Sequence, residues 1–208
     1  MTGWWGRQVV PRLLDVVLDN HEVGKLRAMT CAGLQGDVLE VGFGSGLNIA
    51  HYPSAVTSVS AVEPSDVAWR KAVPRVEAGR TVVRREGLDG QRLAVPDASH
   101  DSALSTFTLC TIPDAGAALR EIRRVLRPGG RLHFVEHGLS DDAGVVTWQH
   151  RLAPLNKRVC CGCHLDRPIA DLIEGAGFEI GSLQTFYEPG PAVSRPFGYL
   201  YLGWATTC

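Results

Sequence analysis

The chain contains no uninterrupted apolar run near the ~20 residues that a bilayer crossing needs, so no membrane span is expected. Its first residues, MTGWWGRQVVPRLLDVVLDN, are broken by Arg7, Arg12, Asp15 and Asp19, and no basic segment precedes a clean apolar one. A signal peptide is therefore not expected either. An excess of one charge is also missing: 21 Lys and Arg stand against 22 Asp and Glu, for a formal net charge of -1. Phosphate-backbone binding normally leaves a basic face, so no nucleic-acid partner is expected. There is no low-complexity linker and no internal repeat, and residues 1–208 read as one domain. Six cysteines without a secretory leader are expected to be free thiols in a reducing cytoplasm. The run CCGCH, Cys160 to His164, has no second cysteine pair elsewhere, and structural zinc sites use two separated pairs. A pocket wall or ordinary loop is expected there, with no metal.

What the sequence does have is alternation. Apolar, β-branched runs at DVLEVG, VTSVSAVE, RTVVRR, DSALSTF and RLHFVEH read as short buried strands of a parallel α/β sheet, separated by helical patterns. The clearest helix is PDAGAALREIRRVLRPGG, where Ala118, Ile122, Val125 and Leu126 recur on one face. Pro113 suits its first turn, and Pro128 with Gly129 ends it. From 138 to 167 the pattern is less regular and reads as a long functional insertion on the substrate side. A helix is expected from Pro168 to Ala176, after which FEIGSLQTFYE and FGYLYLGWA read as a closing antiparallel strand pair. PRLLDVVLDN is an amphipathic helix candidate from Pro11, within an N-terminal helical segment over 1–34. Trp4 and Trp5 near its start suit either a lid or a packed terminus.

VLEVGFGSGLN, Val38 to Asn48, runs from an apolar strand into a loop carrying Gly42, Gly44 and Gly46. The dinucleotide fingerprint G-x-G-x-x-G would need a glycine where Leu47 stands, so the loop is nucleotide-like without being of the NAD type. Glu63, at the end of the next strand, suits the two hydroxyls of an adenosine ribose. Glu40 discriminates further. An extra anion gains nothing beside a pyrophosphate, but it attracts a ligand that carries an ammonium group and a sulfonium. S-adenosyl-L-methionine is such a ligand. The glycines also suit a plain strand-to-helix turn, and Glu63 a helix cap after Pro64.

These residues resemble the class I S-adenosylmethionine-dependent methyltransferases, of the superfamily that includes the ubiquinone and menaquinone methyltransferases. The matching stretches are LEVGFGSG, AVEPS, VPDASHDSALSTFTLCTIPD and ALREIRRVLRPGGRLHFVEH, in order and over most of the chain. The resemblance implies a Rossmann-like, seven-stranded, mostly parallel sheet with helices on both faces and a C-terminal antiparallel strand pair. It also implies S-adenosyl-L-methionine as cofactor and S-adenosyl-L-homocysteine as product. Carried over, Gly42, Gly44 and Gly46 hold the methionine part, Glu63 holds the ribose, and Gly87 and Leu88 flank adenine. Thr106, Phe107 and Cys110 fall where the family contacts cofactor and acceptor. Phe107 is equally suited to the core, and Cys110 to a small buried apolar position.

EHG, WQHRLAPLNK and GCHLDR are similar to the methyltransferase-like seven group of alkyl-thiol S-methyltransferases, through Glu136, His137, Trp148, Gln149, Pro154, Gly162, Cys163, Leu165 and Arg167. That group's hydrophobic N-terminal membrane segment has no counterpart in residues 1–34, so membrane anchoring is not expected. The resemblance implies a small-molecule acceptor, with a thiol as the leading class and a quinone, phenol, phospholipid amine or specialised metabolite behind it. A thiol reacts as its thiolate, so a base is useful, and His137 at the carboxyl end of the fifth strand is the candidate. A satisfied structural histidine is the alternative. Cys110, Trp148, Cys163 and Arg167 are the remaining pocket candidates, Arg167 for an anionic group or for a surface ion pair. The rival readings are an NAD-dependent oxidoreductase and a degenerate S-adenosylmethionine-binding module without turnover. The sequence leaves the oligomeric state open.

Overall fold

The computed structural model describes residues 19–207 apart from residue 161. The helix candidate starting at Pro11 and the Trp4 and Trp5 pair lie outside the described residues. In chain order the elements are α1 (His21–Cys31), β1 (Gly36–Val41), β2 (Val56–Val62), α2 (Asp66–Ala78), β3 (Val82–Gly87), β4 (His100–Thr106), α3 (Ala115–Val125), β5 (Leu126–His137), α4 (Ala143–Val159), α5 (Ile169–Gly175), β6 (Phe178–Tyr187) and β7 (Tyr199–Thr207). The seven strands form one sheet in the order β3-β2-β1-β4-β5-β7-β6. Strands β1 to β5 pair in parallel, whereas β7 runs antiparallel to both β5 and β6. This is the seven-stranded, mostly parallel sheet with a closing antiparallel pair that the sequence leads one to expect.

Side chains alternate across each strand, so neighbouring apolar residues serve opposite layers. Leu39 and Ala103 join a core layer with Leu119 and Ile122 of α3 and with Ile169 and Ile173 of α5. Val38 and Leu104, one position away, join the other layer with Cys31 of α1 and Ala72 of α2. Both faces of the sheet are thereby covered, which is why its inner strands are continuous apolar runs rather than alternating ones.

Helix starts follow the capping chemistry of short polar side chains. Asn20 accepts from the Val23 N–H, Ser65 from Ala68, Asp114 from Ala117, and Asp142 from Gly144 and Val145. Two boundaries differ from expectation. Asp114 caps α3, so Pro113 stands before the helix, and the chain turns extended at Leu126, which puts Pro128 inside β5 instead of at a helix stop. The larger correction concerns 138–167: its centre is the 17-residue helix α4, not an extended loop. The buried positions of α4 are Val145, Gln149, Ala153 and Asn156, a helical spacing in which two of the four are polar. No helix among the described residues is long and apolar enough to cross a membrane.

Candidate active site at the carboxyl ends of the parallel strands

Strand order reverses between β1 and β4, and a crevice outside the carboxyl ends of the strands opens at such a point. The glycine loop leaves β1 there. Gly42, Gly44 and Gly46 have φ of 79°, 59° and 77°, a region that L side chains rarely adopt. At Gly42 space is also closed, because a Cβ would lie 1.9 Å from Thr108 Oγ1.

Glu63 follows β2 and is 6% exposed. Its Oε2 accepts from the Gly44 N–H at 2.7 Å and its Oε1 from the Ser65 N–H at 2.6 Å, so one carboxylate fixes both the glycine loop and the start of α2. Burial raises its pKa. The Glu63 N–H donates to Gly87 O at 3.1 Å, which brings the end of β3 alongside. Leu88, which follows Gly87, is 60% exposed.

Glu40 lies beneath the loop and is fully buried. Its Oε1 accepts from Asn48 Nδ2 at 2.9 Å, and its Oε2 accepts from the Tyr52 hydroxyl. Burial pushes its pKa up to about 7, against the pull of these two hydrogen bonds. Asn48 also donates to Thr106 Oγ1 at 3.0 Å, and Arg27 Nη1 donates to Asn48 Oδ1 at 2.8 Å and to Thr106 Oγ1 at 3.0 Å. The Arg27 side chain is buried, and its Nε has no hydrogen-bond partner. A cation held there would take a carboxylate as its natural partner. Arg27, Asn48 and Tyr52 are site residues that sequence reading did not select. The available signal was the spacing of Val23, Arg27 and Thr30, which puts Arg27 on the inward face of α1.

From Thr106 the site continues along the ends of β4 and β5. Phe107, at φ 55°, has the Arg27 guanidinium over its ring, 5.6 Å from the centroid, and the His137 ring tilted against it at 5.1 Å. Glu136 points the other way and is completely buried. Its Oε1 accepts from Ser105 Oγ at 2.7 Å and the Thr108 N–H at 3.0 Å, and its Oε2 from the Cys110 N–H at 3.2 Å. That carboxylate holds the loop carrying Thr108 to Cys110 in place. The Cys163 segment returns to the same spot: the His164 N–H donates to Cys110 O at 2.8 Å, and Asn156 Nδ2 donates to Cys163 O at 2.9 Å. Contact with Cys163 pushes the Cys110 thiol well up and lowers that of Cys163.

Cys110, His137 and Cys163 are thus brought together, with the His137 ring against Phe107. The other two pocket candidates are placed differently. Arg167 is buried in the wall, where Nη1 donates to Leu109 O and Nη2 donates to Pro113 O at 3.1 Å. It clamps backbone carbonyls of the loop after β4, and so is no surface ion pair. Trp148 is 54% exposed on α4, with the Arg151 guanidinium 5.4 Å from its ring. Its helix instead turns Gln149 inward, donating to Gly138 O and accepting from the Ser140 N–H.

Residues 39–134 match the family described as "Methyltransferase domain". Thiol S-methyltransferase TMT1B of Rattus norvegicus is 33% identical over 176 residues, which covers 81% of this chain and 69% of that protein. Phosphatidylethanolamine N-methyltransferase of Cereibacter sphaeroides is 29% identical over 157 residues, covering 74% of this chain and 75% of that protein. Among solved structures, a SAM-dependent methyltransferase from Aquifex aeolicus superposes with a TM-score of 0.64 at 17% identity, covering 95% of this chain and 98% of that one. At that identity the likeness is one of fold.

Proposed function

The chain belongs to the class I S-adenosylmethionine-dependent methyltransferases, and from that premise we propose that it methylates a small-molecule thiol at sulfur, with release of S-adenosyl-L-homocysteine. The observation that carries the acceptor reading is the position of His137, which ends β5 with its ring against Phe107 and its cluster partners Cys110 and Cys163 beside it. Similarity to a thiol S-methyltransferase over 81% of the chain supports it.

The residues present fit the cofactor. A glycine loop with open space where a side chain of residue 44 would stand admits the methionine portion closely, Glu63 has lone pairs left for the ribose hydroxyls, and Gly87 with Leu88 offers an apolar edge to adenine. Glu40 provides negative charge for the ammonium group by way of Asn48, Arg27 provides positive charge for the carboxylate, and Thr106 closes that side. When bound, S-adenosylmethionine supplies an activated methyl group to a nucleophile lying in line with its sulfonium. The protein's part is alignment, exclusion of water and loss of the acceptor's proton. His137 is the polar group placed for the last of these. Replacing His137 with Ala is expected to lower kcat for alkyl thiols by roughly 100-fold or more, with S-adenosylhomocysteine affinity within about threefold of wild type. Unchanged kcat with every accepted thiol would remove His137 from the reaction.

Glu40 gives a pH prediction. Its pKa of about 7 means that protonation competes with its action as an anion near neutrality. A cationic ammonium group favours the ionised form, so S-adenosylhomocysteine should bind more tightly as pH rises from 6 to 8 and then level off. The linkage has the opposite sign for stability: a carboxyl whose pKa is raised by folding destabilises the fold as pH rises from its unfolded value through about 7. Calorimetric titration of wild type and Glu40→Gln tests the first statement. A flatter profile in the variant is expected, and parallel profiles would exclude Glu40 as the titrating group.

A phospholipid amine is the second reading. It is favoured by an apolar groove formed by Leu152, Leu155, Val159 and Phe197, in which Leu155, Val159 and Phe197 are exposed. The same groove suits a lipophilic thiol, because it ends at Asn156, which holds the Cys163 segment. On the thiol reading, Phe197→Ala raises KM for long-chain alkyl thiols several-fold and leaves KM for short ones unchanged. An equal change for both chain lengths would separate the groove from acceptor binding.

A further inference from the structure

Three segments far apart in sequence, the loop after β4, the end of β5 and the loop after α4, deliver Cys110, His137 and Cys163 to one place. Their ligand atoms all lie within 4.8 Å of one another. Each is held from behind: Cys110 by its N–H on Glu136, Cys163 by Asn156 on its carbonyl, and His137 by its ring on Phe107. Around one tetrahedral Zn2+ with Zn–S of ~2.3 Å, two sulfurs stand about 3.8 Å apart, so drawing the three atoms in by an ångström or less completes the set. Two thiolates and an imidazole form a Cys2His donor set, the kind that binds zinc with a fourth position left open. Cys110 is buried while His137 and Cys163 are only partly so, so the less enclosed side of the cluster is the one these two form. The His137 ring touches Phe107, and the neighbouring Thr106 accepts from Asn48 just after the glycine loop.

We propose that Cys110, His137 and Cys163 bind one Zn2+ through three protein ligands, and that its fourth position takes the acceptor sulfur of the methyl-transfer reaction. The second half rests on the thiol reading above. Metal uptake removes the protons of Cys110 and Cys163 to solvent, and entry of the acceptor releases its own thiol proton as the sulfur binds. The bound sulfur's lone pair then forms the new S–CH3 bond while the sulfonium's C–S bond breaks. The electron pair of the broken bond stays on the departing sulfur, giving neutral S-adenosylhomocysteine. The thioether product is a weaker ligand than the thiolate, so exchange with the next acceptor restores the site. On this inference the removal of the acceptor's proton, assigned above to His137 as a base, passes to the metal, and His137 acts as a ligand that positions the acceptor. The CCGCH spacing did not reveal this, because among the described residues of that run Cys163 alone enters the cluster. Cys160 is exposed on the groove side.

The test uses the full chain, treated with chelator, reduced, and reloaded with Zn2+ or with Co2+ as a spectroscopic substitute. Expected are one equivalent of metal per chain, intense thiolate-to-cobalt charge-transfer absorption with tetrahedral visible bands, and a further rise in that absorption when an alkyl thiol is added. Cys163→Ser and Cys110→Ser should each weaken metal binding at least 100-fold while S-adenosylhomocysteine binding persists, and Cys160→Ser should bind metal as wild type does. Absence of metal from wild-type protein that binds S-adenosylhomocysteine overturns the site, as does metal retained unchanged by both serine variants. A cobalt spectrum unmoved by thiols, in protein that methylates them, overturns the fourth-position assignment while the thiol reading stands. Metal bound by all three ligands in protein that methylates no thiol defeats the acceptor reading and leaves the metal site.

Discussion

Replacing Glu136 with Ala is expected to lower the unfolding midpoint by roughly 6–20 °C. The carboxylate is completely buried and accepts from Ser105 Oγ and from the N–H groups of Thr108 and Cys110. Alanine accepts none of these, and each buried donor left without a partner costs about 1–3 kcal/mol. Water entering the vacated space offsets part of that, for a net loss on the order of 3–5 kcal/mol. In a chain of this size each kcal/mol shifts the midpoint by roughly 2–4 °C. The loss is not confined to stability. Glu136 sets the loop from Thr108 to Cys110, and Thr108 in turn packs against the backbone of Gly42. Loosening that loop therefore reaches the cofactor side as well as the cluster. Glu136→Gln keeps one acceptor oxygen and should lie between the two. Thermal unfolding by circular dichroism measures all three proteins, and a midpoint for Glu136→Ala within about 2 °C of wild type would show that the carboxylate is not what holds this loop.

Glu63→Ala is expected to weaken S-adenosylhomocysteine binding on the order of 100-fold. Hydrogen bonds to a charged acceptor contribute about 1.5–3 kcal/mol each, and on the proposed ribose role the loss of two such bonds amounts to roughly 3 kcal/mol, where every 1.4 kcal/mol is tenfold. The substitution also frees the N–H groups of Gly44 and Ser65, which Glu63 now ties to one point. Glu63→Gln retains an acceptor oxygen without the charge and should cost about tenfold. Calorimetry on both variants, with thermal unfolding as a control for loop damage, separates ligand contact from scaffolding. Wild-type affinity in folded Glu63→Ala would exclude the ribose role.

How far the sequence could be read depended on whether a residue's task matched its chemical type. Strands β1, β4 and β5 were legible because both faces of the sheet are covered and their apolar runs are continuous. The glycine loop was legible because Gly42, Gly44 and Gly46 all take positive φ, a task that few other residues perform. Helix α4 was not. Its inward stripe contains Gln149 and Asn156, its apolar Trp148, Leu155 and Val159 face outward, and Pro154 interrupts it, so the hydrophobic pattern points the wrong way. Gln149 is buried because it satisfies backbone groups at Gly138 and Ser140, which a hydrophobicity pattern does not register.

The same distinction divides the site. Glu40 stands two residues before Gly42 and Glu63 ends the next strand, so both could be selected from sequence position. Arg27 and Tyr52 reach the site through tertiary packing, and the inward face of α1 mixes Val23 and Cys31 with Arg27 and Thr30, so it lacks the contrast that marks an amphipathic helix. Cys110, His137 and Cys163 were each selected singly, but their proximity follows from β4 lying next to β5 and from the return of the chain after α4. Sequence spacing carries no trace of that arrangement. Arg167 was selected for its charge and proves to hold the carbonyls of Leu109 and Pro113.

The most direct measurement is release of S-adenosylhomocysteine by the full chain, followed by mass spectrometry with a panel of short and long alkyl thiols and aryl thiols, beside phenol, quinone and amine-headgroup lipid controls. Thiol-dependent release together with the matching methyl sulfide is expected, reduced roughly 100-fold or more in His137→Ala. Release that depends on an amine, phenol or quinone and not on any thiol, from protein that binds S-adenosylhomocysteine, would contradict S-methyl transfer.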